Sequence, residues 1–330
     1  MVSSQDQTKN SLSFDARIPI AALSEAISQR IIGQKLLIDR LVMALILDQH
    51  VLLEGLPGLA KTTAVKALAD ATGLVAKRVQ FTPDLMPSDL IGSQIYDPKT
   101  MQFVVRKGPV FANLLIADEI NRAPAKVQSA LLEAMQEKQV TIGEETHKLP
   151  EPFVVLATQN PLEQEGTFPL PEAQMDRFLF KVVVGYPSAE EELKILANVI
   201  QPTTSAIVPV LNRGVLDQLR NSIDAIHVSQ DLRKYIVQLV QATRNLGSHG
   251  LTEFQGCIRF GASPRASIGL ELASRAQALM NGRAFVTPQD VKDVALDVLR
   301  HRLLLTVDAE VDGITTDVIV AKLLNSVKIP

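Results

Sequence analysis

A glycine-rich loop between an apolar run and a helical pattern constrains the fold of this chain more than any other segment. The run spans residues 51–53, and the loop ends in Lys61-Thr62. Such a loop directs backbone N–H groups inward, and a helix that starts near Lys61 adds free N–H groups and the positive end of its dipole. The segment therefore predicts a polyphosphate site, with Lys61 at the β- and γ-phosphates and the Thr62 hydroxyl on Mg²⁺. We expect the following residues to form it: Gly55, Leu56, Pro57, Gly58, Leu59, Ala60, Lys61, Thr62 and Thr63.

The loop departs from the G-x-x-x-x-G-K-[ST] pattern at one position, because Ala60 stands where the second glycine belongs. Alanine is tolerated there if that residue is already helical. The alternative is an ordinary strand-turn-helix that happens to contain Lys-Thr. An acidic strand end further along the chain favours the phosphate site.

An apolar run at residues 114–117 ends in two acids, Asp118 and Glu119. Ligands bind at the carboxyl ends of strands in α/β sheets, so we expect both acids beside the phosphate loop. Thr62 would hold Mg²⁺, Asp118 would hold it directly or through water, and Glu119 would polarise the water that attacks a bound nucleotide. The alternative is that the acids only stabilise the next helix through its dipole.

A further apolar run, at residues 153–157, leads to Asn160. An asparagine side chain both donates and accepts hydrogen bonds, so Asn160 could orient the attacking water. The alternative is an ordinary Asn-Pro turn.

The order of the patterns predicts an α/β fold followed by a helical region. Two helical patterns, at residues 21–31 and 35–47, precede five continuous apolar runs of the kind found in parallel strands that are buried on both faces. These runs lie at residues 51–53, 79–81, 114–117, 153–157 and 178–184. Two interruptions, at residues 95–105 and 139–149, are typical of β-hairpins inserted around helices, as working inserts or as surface decoration.

Strand patterns disappear from about Tyr186 onward, and helical spacing takes over. The predicted helices lie at residues 190–200, 214–226, 229–246, 266–280 and 288–303. The last of them has a clear start, with Thr287 as N-cap, Pro288 at the first helical position and Asp290 in the first turn. We therefore expect a tail over residues 1–17, an α/β domain over 18–185 and a helical domain over 186–330.

Bulk properties narrow the classes of partner and compartment. The 330 residues carry a net charge of -3 without a Lys/Arg run, which argues against binding to duplex nucleic acid. A single cysteine, Cys257, fits a reducing compartment. The apolar runs fall short of the roughly 18 residues that a membrane span requires, and the first residues lack a signal-peptide pattern. We expect a cytoplasmic protein without membrane insertion.

Taken together, these motifs resemble the MoxR family of AAA+ ATPases, within the helix-2-insert clade. The resemblance runs from about Ile18 to Leu303, and its motifs are residues 55–62, 116–124, 157–161, 169–178 and 261–266. The family's phosphate loop reads Gly-x-Pro-Gly-x-Ala-Lys-Thr, so Ala60 supports the match. The resemblance implies a P-loop AAA+ core with a parallel five-stranded sheet and β-hairpin inserts, followed by an all-helical lid domain.

The resemblance also implies roles for single residues. Asn160 corresponds to sensor 1, Arg265 to the sensor 2 arginine of the lid, and Arg177 to the arginine finger that reaches a neighbouring subunit's nucleotide. We expect Arg265 to face a cleft between the domains. Residues 31–34, with Ile31 and Ile32, correspond to the segment that packs near the adenine. Arg122 stays open between a second contact in trans and a surface charge.

For the whole protein, the resemblance implies ATP and Mg²⁺ as cofactors and a homo-oligomer in the form of a hexameric ring. It also implies chaperone-like remodelling or maturation of a protein client, including metal-cofactor insertion, commonly with a partner that carries a von Willebrand factor A domain. The residues themselves do not name the client.

Two other functions stay open at this stage. A nucleic-acid motor of the same clade would be favoured by lysine-rich hairpin tips, but the tips here contain Glu144-Glu145 and only Lys99. A nucleotide-gated scaffold that binds ATP with little turnover would not need Glu119, Asn160 or Arg177. The presence of these three residues therefore argues against a scaffold.

Overall fold

The computed structural model of the chain describes residues 14–56, 58–59, 61–161, 166–200 and 207–329. Pro57 and Ala60 of the predicted phosphate loop, and residues 1–13 of the predicted tail, lie outside the described residues. The strands, in chain order, are β1 (Val51–Gly55), β2 (Ala76–Gln80), β3 (Gly92–Asp97), β4 (Gln102–Lys107), β5 (Leu114–Asp118), β6 (Gln139–Ile142), β7 (Glu145–Lys148), β8 (Val154–Gln159), β9 (Phe180–Val184), β10 (Ile258–Phe260) and β11 (Leu304–Leu305).

The α-helices alternate with strands in the first part of the chain and dominate the second part. They are α1 (Arg17–Ser28), α2 (Lys35–Leu47), α3 (Lys61–Thr72), α4 (Pro87–Ile91), α5 (Ala125–Glu137), α6 (Glu172–Met175), α7 (Ala189–Ile200), α8 (Arg213–Asp224), α9 (Gln230–Ala242), α10 (Pro264–Met280), α11 (Pro288–Leu299), α12 (Val307–Val311) and α13 (Thr316–Ser326).

A parallel sheet of five strands, in the order β2-β5-β8-β1-β9, forms the centre of the α/β core and confirms the predicted fold. Alternate residues of a strand point to opposite faces, so the buried residues divide between two cores. Leu53 and Ile116 pack with α1, α2, α3 and helices of the C-terminal region. Leu52 and Leu115 pack with α4 and α5. Helices thus cover both faces of the sheet.

The edge strand β2 corrects one prediction. The apolar run at residues 79–81 predicted a strand buried on both faces, but β2 begins at Ala76 and most of its residues are exposed. It pairs with β5 only, because it lies at the edge of the sheet. Polar side chains such as Lys77, Arg78 and Gln80 can therefore stand along it.

Both predicted hairpins are present. Strands β3 and β4 pair antiparallel from Gly92↔Lys107 to Asp97↔Gln102, and β6 pairs antiparallel with β7. Gly92 has φ +104°, and a Cβ there would lie 2.2 Å from the Arg106 carbonyl oxygen, so the first hairpin requires glycine at its start. The hairpins lie outside the central sheet, as inserts do.

The first helix is shifted relative to the predicted 21–31. It begins at Arg17, near Asp15, whose carboxylate accepts a hydrogen bond from the Arg17 N–H, and it ends at Ser28. Gly33 and Gln34 then adopt left-handed backbone conformations, which place a turn between α1 and α2. The second helix has the predicted bounds.

The C-terminal region is helical, as predicted, with several corrections. The helix predicted to end at residue 246 ends at Ala242, and α12 and α13 were not predicted. A short antiparallel pair, β10 and β11, shows that strands do not disappear altogether after Tyr186. The predicted start of α11 is confirmed as a capping box, because the Thr287 N–H donates to Asp290 Oδ2 at 2.8 Å and Thr287 accepts from the Asp290 N–H. Residues 300–302 form a 3-10 turn after α11.

A buried ion pair joins the core to the helical region. Arg40 of α2 donates to Asp297 of α11 at 2.7 Å, and each side chain is 3% exposed. Arg40 also donates to the Asp293 carbonyl oxygen. Among the residues that the structure covers, none of the helices combines the length and apolarity that crossing a membrane requires.

Candidate functional site

The phosphate loop leaves β1 at the carboxyl edge of the sheet and returns as α3. Gly55 allows the close approach of β9, because a Cβ there would lie 2.7 Å from the Val184 carbonyl oxygen. Gly58 has φ +85°, a conformation that glycine adopts without strain. The Lys61 ammonium donates to the carbonyl oxygens of Gly55 and Gln159, so it lies over the loop.

The carboxylate of Asp118 ends β5 beside this loop. Thr62 Oγ1 donates to Asp118 Oδ1 at 3.1 Å, and Thr158 Oγ1 lies 3.3 Å from the same oxygen. Arg78 Nε donates to the other oxygen, Oδ2, at 2.5 Å. Asp118 is 3% exposed, so these contacts replace water around a buried charge. The predicted partners Thr62 and Asp118 are thus in contact.

Glu119 follows at the turn after β5. Its backbone is left-handed, with φ 55°, and its N–H donates to Thr158 Oγ1 at 2.9 Å. Its side-chain Oε2 accepts from Gln80 Nε2 at 2.7 Å and pairs with Arg122 Nε at 3.2 Å. Arg122 therefore pairs with an acid of its own chain. Neither alternative considered for it, a contact in trans or a surface charge, included this pairing.

A single cavity of about 340 Å³ brings these residues together. It unites the predicted loop and acids with Asn160, which is buried at the end of β8. Its lining residues are Gly58, Leu59, Lys61, Thr62, Thr63, Arg78, Gln80, Asp118, Glu119, Thr158 and Asn160.

Sequence reasoning missed three residues of this cavity, Arg78, Gln80 and Thr158. Arg78 and Gln80 stand two residues apart near the carboxyl end of β2, so they share a face of that strand. This i, i+2 spacing at the end of a predicted strand is the signal that could have found them.

Arg177 and Arg265 face a different cavity, of about 250 Å³, between the core and the helical region. Arg265, at the start of α10, lies 3.9 Å from Asp176 Oδ2. Asp176 is also held by Arg302 Nε at 2.7 Å and by Ser263 Oγ at 2.8 Å. Arg265 thus faces a cleft between the two regions, as expected. Among the described residues, however, none of the phosphate-loop residues lines that cleft.

Residues 31–34, which the family resemblance assigns to the neighbourhood of the adenine, pack near α7. Ile31 is buried and Ile32 half-buried. Glu191 of α7 covers Gly33, where a Cβ would lie 2.0 Å from Glu191 Oε1. Within the described chain, Ile31 and Ile32 do not line the cavity of about 340 Å³ that contains Lys61, hereafter the phosphate cavity.

A hydroxyl and a carboxylate are the hard oxygen ligands that Mg²⁺ prefers, so Thr62 and Asp118 fit this metal. Over the part of the chain that the structure describes, no cluster of three or more His, Cys, Asp or Glu side chains could hold a metal ion. The remaining ligands would have to come from nucleotide phosphates and water, which is how Mg²⁺ usually binds in nucleotide sites.

Two buried histidines near the arginine cavity are held neutral. Burial lowers the pKa of His50 to about 4. Burial, followed by the charge of Arg302, lowers the pKa of His301 well below its usual 6.5. The backbone N–H of Val155 donates to His50 Nδ1 at 3.0 Å, and His50 Nε2 lies 3.3 Å from the Met135 carbonyl oxygen. Because Nδ1 accepts, Nε2 carries the proton, and the ring joins two backbone segments.

Comparisons with known proteins agree with this architecture. A family model for ATPases associated with various cellular activities matches residues 50–180, and a model for the AAA lid domain matches residues 251–323. A crystal structure of a candidate ATPase from Cytophaga hutchinsonii superposes with a TM-score of 0.89 at 47% identity, and the match covers 96% of each chain.

Curated relatives give the same result over nearly the whole chain. Chaperone MoxR1 of Mycobacterium tuberculosis is 50% identical over 91% of this chain and 79% of its own length. The uncharacterised protein YeaC of Bacillus subtilis is 43% identical over 93% of both chains, and protein MoxR of Paracoccus denitrificans is 34% identical over 85% and 87%. The chain therefore belongs to the MoxR family of AAA+ ATPases.

Proposed function

We propose that this chain binds ATP with Mg²⁺ in the phosphate cavity and hydrolyses it. The observation that supports this most directly is that Lys61, Thr62, Asp118 and Glu119 line one cavity. In this proposal Lys61 binds the β- and γ-phosphates, while Thr62 and Asp118 hold the metal. Bound Mg²⁺ would neutralise negative charge on the phosphates.

The hydrolytic step uses two further side chains of the cavity. Glu119 accepts a proton from the attacking water, and Asn160 orients that water by hydrogen bonding. In the structure, Gln80 and Arg122 both contact Oε2 of the Glu119 carboxylate. The backbone N–H groups of the phosphate loop and of the first turn of α3 bind the phosphate oxygens. The adenine lies near Ile31 and Ile32 in this proposal, on the basis of the family resemblance.

We further propose that each ATPase site is shared between subunits of a homo-oligomer, in the form of a hexameric ring. Arg177 and Arg265 line a cavity away from their own phosphate loop, and the Arg265 side chain is 51% exposed. An arginine supplied to the γ-phosphate from a neighbour typically raises turnover by roughly 10³ to 10⁵. Arg177 would reach the neighbouring subunit's nucleotide in this arrangement, while Arg265 keeps the proposed role of the lid's sensor 2 arginine.

At the level of the whole protein, we propose chaperone-like remodelling or maturation of a protein client, including metal-cofactor insertion. Support comes from the 50% identity to a relative named as a chaperone. A partner with a von Willebrand factor A domain is part of this proposal. So are a cytoplasmic location, supported by the single cysteine, and domains over residues 18–185 and 186–330.

Two variants test the proposed chemistry. Lys61→Ala should lose ATP binding, because the phosphates lose a point charge inside the cavity. Glu119→Gln should still bind ATP but lose hydrolysis by roughly 10² to 10⁴ in kcat, the usual contribution of a general base. Glu133→Gln, an exposed acid on α5, is the matched control and should behave as wild type. Fluorescent-nucleotide titration and phosphate release measure the two steps separately. Hydrolysis by Glu119→Gln at the wild-type rate would show that the base is assigned wrongly.

A further inference from the structure

The buried carboxylate of Asp118 already has a cation beside it. Arg78 Nε contacts Oδ2 at 2.5 Å, while the hydroxyls of Thr62 and Thr158 lie on Oδ1. An ionised carboxylate that is 3% exposed requires a compensating charge or several hydrogen bonds. Arg78 supplies that charge from within the chain.

A divalent metal on either oxygen of Asp118 would lie close to the Arg78 guanidinium. Mg²⁺ binds carboxylate oxygens at about 2.1 Å, so the two cations would be close neighbours with like charge. Their repulsion weakens a metal site on this carboxylate while Arg78 Nε stays on Oδ2. Tight binding of a metal at Asp118 therefore favours movement of Arg78 away from the carboxylate.

The position of Arg78 on the fold allows that movement. It stands on the edge strand β2, and its side chain is 48% exposed although the carboxylate it binds is buried. Arg78 Nη2 also donates to Gln80 Oε1, at a long distance of 3.5 Å. The side chain lines the phosphate cavity, so the phosphates of an incoming nucleotide would offer the guanidinium another anion.

We propose that Arg78 is a placeholder cation: it neutralises Asp118 while the cavity is empty and gives way to the metal only when a nucleotide enters. This inference rests on the proposed function, in which Asp118 holds Mg²⁺. It assigns to Arg78 the control of metal entry, so that the free ion is excluded and the metal arrives together with the nucleotide.

The test measures binding of Mn²⁺, a paramagnetic ion with similar oxygen ligands, to the full chain without nucleotide, by electron paramagnetic resonance. Arg78→Gln should bind one Mn²⁺ at least about tenfold more tightly than wild type, because a repelling charge is removed. The gain should vanish in Arg78→Gln/Asp118→Asn. Lys77→Gln, which removes the same charge from the neighbouring exposed position of β2, should bind as wild type.

Equal Mn²⁺ binding by Arg78→Gln and wild type would overturn the placeholder role, and so would a gain that survives the Asp118→Asn change. The same titration with ATP present separates this failure from failure of the proposed function. If the wild-type protein binds Mn²⁺ in the presence of ATP, the proposed function is supported, whatever the result for Arg78→Gln. Wild type that binds no Mn²⁺ even with ATP refutes the proposed function and the placeholder with it.

A second measurement needs no substitution and stands even if Arg78→Gln fails to fold. Wild-type crystals are soaked with Mn²⁺, with and without a non-hydrolysable ATP analogue, and the anomalous signal locates the ion. If Arg78 is a placeholder, Mn²⁺ should appear at Asp118 only in crystals that also contain the ATP analogue. In those crystals the Arg78 guanidinium should have moved away from Asp118 Oδ2. An ion at Asp118 without nucleotide, or beside an intact Arg78 pair, contradicts it.

Discussion

Single residues at the end of β5 are held by polar neighbours from adjacent strands and from α3. Asp118 contacts Thr62, Arg78 and Thr158, and Glu119 contacts Gln80 of β2. Glu119 also has a left-handed backbone, which is uncommon for a residue with a Cβ and clusters at functional sites. Both acids are therefore engaged by side chains of their own chain.

The buried His50 leads to a prediction of pH dependence. Burial lowers its pKa to about 4 in the folded chain, whereas the unfolded chain titrates near 6.5. As the pH falls below 6.5, the unfolded chain takes up a proton that the folded chain does not. The free energy of unfolding should therefore decrease, and between pH 7 and pH 5 His50 alone should account for about 2 kcal/mol.

Urea unfolding at pH 7 and pH 5 of wild type and His50→Gln measures this contribution. A glutamine amide can donate and accept as the ring does, but it does not titrate. His301 shifts in the same direction and is present in both proteins, so it cancels in the comparison. The variant should lose about 2 kcal/mol less than wild type. Equal losses in the two proteins would show that His50 is not held neutral.

Part of the candidate site was predictable from sequence, and the reason lies in how polar residues terminate strands. Lys61, Asp118, Glu119 and Asn160 each follow an apolar run, and the carboxyl ends of parallel strands meet at one edge of a sheet. Arg78 was not predicted, because a polar residue on an exposed strand has the same local pattern as a surface charge. Its contact with Asp118 arises only when β2 pairs with β5.

At the scale of elements, strands were predicted correctly where they are buried on both faces and less well where they are exposed or short. The helix α13, which has a buried face, was not predicted at all. Continuous apolar runs gave the five parallel strands, but β2 has one strand neighbour and its burial was wrongly predicted. The pair β10 and β11 was missed because segments of three and two residues are too short to show a period. Turn residues such as Gly143, with φ +65°, made the second hairpin predictable.

The buried pair between α2 and α11 yields a prediction of stability. Arg40→Ala leaves the buried Asp297 carboxylate with the more distant Arg300, at 3.6 Å, as a charged partner, so we expect a loss near the lower end of about 3 to 5 kcal/mol. The double variant Arg40→Met/Asp297→Leu should recover most of that loss, because two apolar side chains replace the pair. Arg300, which also contacts Asp297, keeps its ion pair with Asp317.

Urea unfolding of both variants measures the effect. Arg233→Ala is the matched control, since its pair with Glu271 is 44% exposed on the arginine side and should contribute less than about 1 kcal/mol. A loss in Arg40→Ala no larger than in the control would mean that the pair does not hold the two elements together.

At the scale of the whole molecule, the lid is bound to the segment that contains Arg177, the residue proposed to act in trans. Arg302 donates to Asp176 Oδ1 at 2.7 Å and to the Phe178 carbonyl oxygen at 2.7 Å. His301 Nε2 lies 2.9 Å from the same carbonyl oxygen. The segment with Arg177 is thus bound on both sides to residues that follow α11. A movement of the lid would therefore move the proposed finger.

The structure separates the two groups of residues that the proposed shared site would combine. The phosphate cavity contains Lys61, and the arginine cavity contains Arg177. We therefore expect Arg177→Ala to bind ATP without efficient turnover, and Lys61→Ala to keep its finger without binding ATP. Each homo-oligomer should be inactive for a different reason.

Mixing these two inactive proteins tests the shared site most directly. Where the intact pocket of an Arg177→Ala subunit meets the intact finger of a Lys61→Ala subunit, one complete site forms. Phosphate release should recover to a fraction of the wild-type rate that varies with the mixing ratio, once crosslinking shows co-assembly. Replacing Lys61→Ala by the double variant Lys61→Ala/Arg177→Ala removes the donor finger and should abolish the recovery. Co-assembly without recovered hydrolysis at any ratio would contradict the assignment of Arg177 as a finger acting in trans.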